Sequence, residues 1–262
     1  MTTWLHPITR PALASRHRLV CFPYAGAGPS IFNAWKAHLP QNIEALAVHL
    51  PGRERRFSEP ALTDLRVIVE SITSAIEELP SCPFTLFGHS LGAMIAYEVA
   101  CALESSGKQP HLLIASGRHC PGTPSKTKAV SHLPDAEFVQ AIAKYGGMSS
   151  EILACQELLE ILIPTIRADF HLSEHYKASA STSRLNTPLL VLGSKEDELV
   201  DFDQLTKWQS LSASSVNIHE FEGGHFFLQK EFPRIIELFT SHIDGPTNRP
   251  SYETLQPISS FR

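Results

Sequence analysis

The chain has 262 residues, 43% of them hydrophobic, and a formal net charge of −5. That is apolar material enough for one large core, and the acidic balance excludes a broad basic face for nucleic acid. Residues 1–17 hold no apolar core of signal-peptide length, and no segment approaches the roughly 18 apolar residues of a membrane span, so the expected location is cytoplasmic.

Strands and helices alternate along the chain. Residues 18–22 read as a first buried strand, 29–39 as a short helix and 45–50 as a second strand. Residues 62–79 have helical periodicity, with Leu65, Ile68, Val69, Ile72 and Ile76 on one face. An apolar strand at 83–87 leads into Gly88-His89-Ser90-Leu91-Gly92, and a helix follows that stops near Gly107. Further strands are expected at 111–116, 188–193 and 216–221, and a last helix at 232–242. This order implies a mainly parallel, doubly wound sheet. Between about 121 and 186 no strand is expected. Helices at 135–145, with Asp135 as its cap, and at 151–175 form a helical insertion, read as a lid over the site or as an added packing layer. The domain spans 1–243. The tail over 244–262, with Pro246, Pro250 and Pro257 among polar residues, is expected to lack fixed structure. The five cysteines, odd in number and without C-x-x-C spacing, read as free thiols; Cys21, Cys82 and Cys101 lie in apolar stretches and are expected to pack in the core.

The G-x-S-x-G pentapeptide between a strand and a helix is the pattern of a nucleophile elbow, with Ser90 exposed on a strained turn. A serine hydroxyl needs a base, and the base an orienting acid, in the chain order serine, acid, histidine. His225, on the glycine-rich turn Glu222-Gly223-Gly224-His225-Phe226-Phe227 after the last strand, is the expected base. Asp197, on the loop after the 188–193 strand, is the expected acid; Glu196, Asp201 and Asp203 are its rivals. His89 adjoins the nucleophile with its ring turned elsewhere, and His171 and His175 read as polar residues of the insertion. Two backbone N–H groups are expected to face a developing oxyanion: Leu91, directly after the nucleophile, and Ala25, with Tyr24 the alternative, on the loop after the first strand. No metal set, phosphate loop or dinucleotide motif is apparent, and the mechanism needs no cofactor.

Several segments carry a resemblance over nearly the whole chain up to about residue 243. They are Leu19-Val20-Cys21-Phe22-Pro23-Tyr24-Ala25-Gly26-Ala27-Gly28, Leu50-Pro51-Gly52-Arg53-Glu54-Arg55-Arg56 and the elbow. Leu133-Pro134-Asp135, Tyr145-Gly146-Gly147, Ile163-Pro164-Thr165-Ile166-Arg167-Ala168-Asp169-Phe170 and the His225 turn complete the set. On these the chain resembles the type II thioesterases, stand-alone editing hydrolases of polyketide and nonribosomal peptide synthesis. The resemblance implies an α/β-hydrolase fold with a helical lid and hydrolysis of acyl groups from the phosphopantetheine arm of acyl or peptidyl carrier proteins. It also implies action in trans, and a monomer is expected. Arg53, Arg55 and Arg56 read either as a basic patch for an acidic carrier or as an exposed loop with internal salt bridges. Alternatives are a general carboxylesterase or amidase on small molecules, a product-releasing thioesterase, and a non-catalytic interaction protein on the same fold.

Overall fold

The computed structural model describes residues 3–10, 15–178 and 184–244. Seven strands form one sheet: β1 (Leu5–Pro7), β2 (His17–Phe22), β3 (Ile43–Val48), β4 (Phe84–His89), β5 (Leu112–Ser116), β6 (Leu189–Gly193) and β7 (Val216–Glu220). Their spatial order is β1-β3-β2-β4-β5-β6-β7, with β1 antiparallel to β3 and every other pair parallel. Strands β2, β4, β5 and β6 are buried along their whole length, as central parallel strands covered on both faces must be.

One face is covered by α1 (Leu65–Glu77), α2 (Leu91–Ser105) and a 3-10 segment at Phe202–Leu211, through Ile68, Ile72, Met94, Leu205 and Trp208. The other is covered by a 3-10 segment at Pro29–Ala37 and by α6 (Leu228–Asp244), through Phe32, Trp35, Ile235, Ile236 and Phe239. The Trp35 ring lies 4.8 Å from that of Phe87 in the central strand β4. Truncating so buried an aromatic side chain costs about 3–5 kcal/mol.

The insertion holds α3 (Asp135–Ala143), α4 (Ser150–Leu153) and α5 (Gln156–Glu174), packed on a small core of its own around Phe138, Ile142, Ile163 and Ile166. The helix expected over 151–175 is thus two helices, parted at Ala154 and Cys155. Asp135 is not a cap: Pro134 stands at that position without a side-chain bond, and the Asp135 carboxylate accepts from Arg167 Nη2 at 2.5 Å instead.

Other expectations shift by a few residues. The helix read from 62 begins at Leu65, where the Asp64 carboxylate accepts the Arg66 N–H at 2.9 Å. The second expected strand runs over Ile43–Val48, and the last helix starts a turn earlier than expected, at Leu228. All five cysteines are free thiols; Cys21 is buried, whereas Cys82 and Cys101 are half-buried. The tail beyond 244 lies outside the described residues. No helix among the described residues is long and apolar enough to cross a membrane.

Parallel strands deliver their carboxyl ends to one rim. The chain leaves β2 to build β3 on one side and later returns to build β4 on the other. The crevice between the loops after β2 and β4 is therefore the place where an open α/β sheet binds its ligand.

Candidate active site

At this rim β4 passes into α2 through Ser90, whose φ of 55° and ψ of −115° put a non-glycine residue in a sparsely populated region. Its glycine neighbours make the turn possible. A Cβ on Gly88 would stand 2.2 Å from the Gly92 carbonyl oxygen, and one on Gly92 would stand 2.1 Å from that of Phe22. Alanine at either place forces strand and helix apart. The Ser90 N–H donates to the Ser116 carbonyl at 2.8 Å, fixing the turn to the next strand. The hydroxyl is left facing a cavity.

Loops after β6 and β7 bring in two further side chains. His225 Nε2 lies 3.0 Å from Ser90 Oγ, and His225 Nδ1 lies 2.8 Å from Asp197 Oδ2. Asp197 is 4% exposed, and its second oxygen accepts the N–H groups of Leu199 at 2.8 Å and Val200 at 3.1 Å. An ionised carboxylate only accepts, so Nδ1 carries the donated proton and Nε2 turns its lone pair to the serine. The rivals lie elsewhere. Glu196 is exposed, Asp201 caps the 3-10 segment by accepting the Asp203 N–H at 3.2 Å, and Asp203 lies within that segment.

His89 does not compete as a base. Its ring is buried 5.1 Å from that of His225, with Nδ1 paired to Ser116 Oγ at 2.9 Å. Burial, and then the neighbouring His225, push its pKa well below the ordinary histidine value. His171 and His175 stack on each other at 4.1 Å on the exposed side of α5.

Both residues expected to supply oxyanion donors line the cavity with Ser90: Leu91, the first residue of α2, and Ala25, in the loop after β2. In that loop the Gly26 N–H is taken by Asp169 Oδ2 at 2.7 Å and the Ala27 N–H by the Tyr24 carbonyl at 3.0 Å. Among the described residues no acceptor takes the Ala25, Tyr24 or Leu91 N–H.

The cavity has a volume of about 720 Å³. Tyr24, Ala25, Leu91 and His225 line its floor, and Tyr145, Met148, Ile152, Leu162, Ile166 and Phe170 of the insertion form an apolar wall. Such a wall suits a hydrocarbon chain. Arg118 and His119, which the sequence reading missed, line it from the loop after β5. The Arg118 guanidinium donates to Ser173 Oγ at 2.6 Å, and His119 Nε2 accepts the Asp201 N–H at 2.8 Å. Burial lowers the pKa of both groups. Only a position one strand-end away from Ser90, immediately after β5, would have flagged them in the sequence.

Of the two readings of Arg53, Arg55 and Arg56, the internal salt bridges hold, the basic patch does not, and the loop is buried at Arg53 and Arg56. Arg53 is 6% exposed and pairs with Asp169. Arg56 is 8% exposed, donates to the His49 carbonyl at 2.7 Å and pairs with Glu59 at 2.6 Å. Of the three, Arg55 alone is exposed. Among the described residues no cluster of His, Cys, Asp and Glu could hold a metal ion.

A mostly parallel sheet, an elbow serine and a histidine bridging it to a carboxylate, in the chain order Ser90, Asp197, His225, define an α/β-hydrolase. Within that class the chain belongs to the thioesterase family, whose domain model matches residues 17–243, and it is a hydrolase of thioesters. It is 34% identical over 231 residues to the gramicidin S biosynthesis protein GrsT of Aneurinibacillus migulanus, covering 88% of this chain and 90% of that one. It is 31% identical over 253 residues to the thioesterase PikA5 of Streptomyces venezuelae, covering 96% and 89%. The structure of the type II thioesterase BorB from the borrelidin biosynthetic cluster superposes with a TM-score of 0.84 at 28% identity, covering 92% of this chain and 97% of that one.

Proposed function

We propose that this protein hydrolyses acyl groups from the phosphopantetheine arm of carrier proteins in polyketide or nonribosomal peptide synthesis, clearing misprimed or stalled units. The observation that carries the reading is His225 Nε2 at 3.0 Å from Ser90 Oγ, on the floor of an apolar-walled cavity. Relatives named for gramicidin S and borrelidin biosynthesis support the substrate class.

Ser90 Oγ attacks the thioester carbonyl carbon while His225 Nε2 takes its proton, and Asp197 stabilises the imidazolium that forms. The carbonyl oxygen becomes an oxyanion held by the N–H groups of Leu91 and Ala25, each contributing about 10²–10³ in rate. Collapse expels the pantetheine sulfur, which leaves with the proton from His225. Water, deprotonated by His225, then attacks the acyl-serine ester, and Ser90 leaves with its proton restored. Thiols ionise far more readily than alcohols, so the sulfur is the easier leaving group. No cofactor enters these steps. The reading places the protein in the cytoplasm as a monomer working in trans, and its five unpaired cysteines suit a reducing compartment.

The test is mass spectrometry of carrier proteins loaded with varied acyl groups, with and without the protein. Loss of the acyl mass with wild type, and its retention with Ser90→Ala at a rate about 10⁴–10⁶-fold lower, is the expected result. A preference for oxygen esters over carrier thioesters of the same acyl chain would overturn the reading.

A further inference from the structure

The segments Pro51–Arg53 and Ile163–Asp169 take no part in the chemistry above, yet they meet beside it across 116 positions of sequence. The Asp169 carboxylate, 1% exposed, accepts Arg53 Nη1 at 2.7 Å and Arg53 Nη2 at 2.9 Å, a two-pronged pair. Its Oδ2 also accepts the Gly26 N–H at 2.7 Å, and Arg53 Nη1 also donates to the Ala27 carbonyl at 3.2 Å. Gly26 has a φ of 76°, and the Ala27 N–H bonds back to the Tyr24 carbonyl at 3.0 Å. Those are the marks of a type II turn with Ala25 and Gly26 at its centre. The ion pair therefore grips this turn at two points: the N–H that follows Ala25 and the carbonyl that follows Gly26. From the side, Ile166 leaves no room for a Cβ on Gly26, which would stand 2.9 Å from Ile166 Cγ1.

We propose that Asp169, held by Arg53, is a positioning residue for the oxyanion hole. It fixes the turn that presents the Ala25 N–H, and it occupies the Gly26 N–H, so that Gly26 does not turn to the substrate. The inference rests on the oxyanion role proposed for Ala25. Arg53 has a second task. A bare carboxylate one peptide from the oxyanion would oppose its negative charge, and the guanidinium cancels that field. A tie that merely seated the insertion would serve substrate binding and stability, and would leave the tetrahedral state no better held than the ground state.

The test measures kcat and KM on a small acyl thioester, the affinity for a boronic acid that forms a negatively charged tetrahedral adduct on Ser90, and thermal melting. In Asp169→Asn, kcat is expected to fall about 10–100-fold with KM within about 2-fold, and boronate affinity to weaken by the same factor as kcat. Arg53→Gln is expected to fall further, and adding Asp169→Asn to it to recover part of the loss. Thr165→Val removes the neighbouring tie from Thr165 Oγ1 to the Gly52 carbonyl (2.8 Å) and leaves the Gly26 bond. It is expected to move kcat less than about 3-fold.

If Asp169→Asn moves kcat and boronate affinity no more than Thr165→Val does, the inference is overturned. A wild-type protein that neither turns over the thioester nor binds boronate overturns the reading of the site, and this inference with it. Where the variants do not fold, amide exchange in the wild type decides. A Gly26 N–H protected in the free protein and slowed further by boronate supports the inference, and one exchanging like an open loop amide overturns it.

Discussion

Helix α5 enters two Arg–Asp pairs of similar length and different character. Arg53–Asp169, at 2.7 Å, joins the helix to the loops at the sheet rim, and its side chains are 6% and 1% exposed. Arg167–Asp135, at 2.5 Å, joins the helix to α3 inside the insertion, and its side chains are 25% and 73% exposed. Separation alone would rank the second pair stronger. Burial ranks them the other way, because water screens an exposed pair and supplies partners if it breaks, whereas a charge buried without its partner has none. The Arg53–Asp169 tie to the rim that carries Ser90 is thus the firm one, and the Arg167–Asp135 tie within the insertion is the loose one.

Three measurements sharpen or break that contrast. The largest effect is expected from Arg53→Ala, which leaves Asp169 buried without its cation and should cost about 3–5 kcal/mol in denaturant unfolding. A cost under about 1 kcal/mol would put the two ties on a par. A smaller effect is expected from acid, and it belongs to the body of the sheet. His17, at the start of β2, is buried with Nε2 on Thr85 Oγ1 at 2.9 Å, and burial, with His111 nearby, lowers its pKa to about 4. The unfolded chain takes up this proton near pH 6.5 and the folded one only near 4. Stability is therefore full above about pH 6.5, falls as pH drops toward about 4, and levels off below. His17→Phe should reduce that slope and leave the part that His89 and His119 contribute in the same direction, while Arg53→Ala and Asp135→Ala should keep it whole; a slope unchanged by His17→Phe would remove His17 from the account. The smallest effect is expected from Asp135→Ala, no more than about 1 kcal/mol, because Arg167 keeps its bonds to the Ser131 and Leu133 carbonyls at 2.6 and 2.7 Å and its stacking on Phe138 at 4.3 Å. A cost near that of Arg53→Ala would erase the distinction.

The parts legible in the sequence were those written in short range. The central strands announced themselves as apolar runs, α1 by its periodicity, and the elbow by two glycines spaced around a serine. Strand β1 is too short to show an alternation, and the 3-10 segment at Phe202–Leu211 lacks the apolar period of an α-helix. The last helix was expected from Phe232, yet α6 begins at Leu228, four positions before it. Ser90, Asp197 and His225 could be ordered because each follows a readable strand. Arg53 could be read as a docking charge or as one half of an internal salt bridge because its partner, Asp169, is remote in the chain, and nothing local records whether an arginine on a loop points to solvent or to a distant carboxylate. Arg118 escaped for a related reason: it gains its setting only when β5 comes to lie beside β4.

The sheet's margins carry a last consequence. A strand at the edge of a sheet is an open template for another chain. Here β1 closes one margin with three residues ending in Pro7, which has no N–H to offer a newcomer. The opposite margin, β7, is five residues long and ends at Glu220, bound to Lys195 at 2.6 Å. An approaching strand meets a three-residue stub on one side and a five-residue strand on the other. Each edge thus offers a newcomer only a short run of backbone partners, a weak template for zipping copies edge to edge.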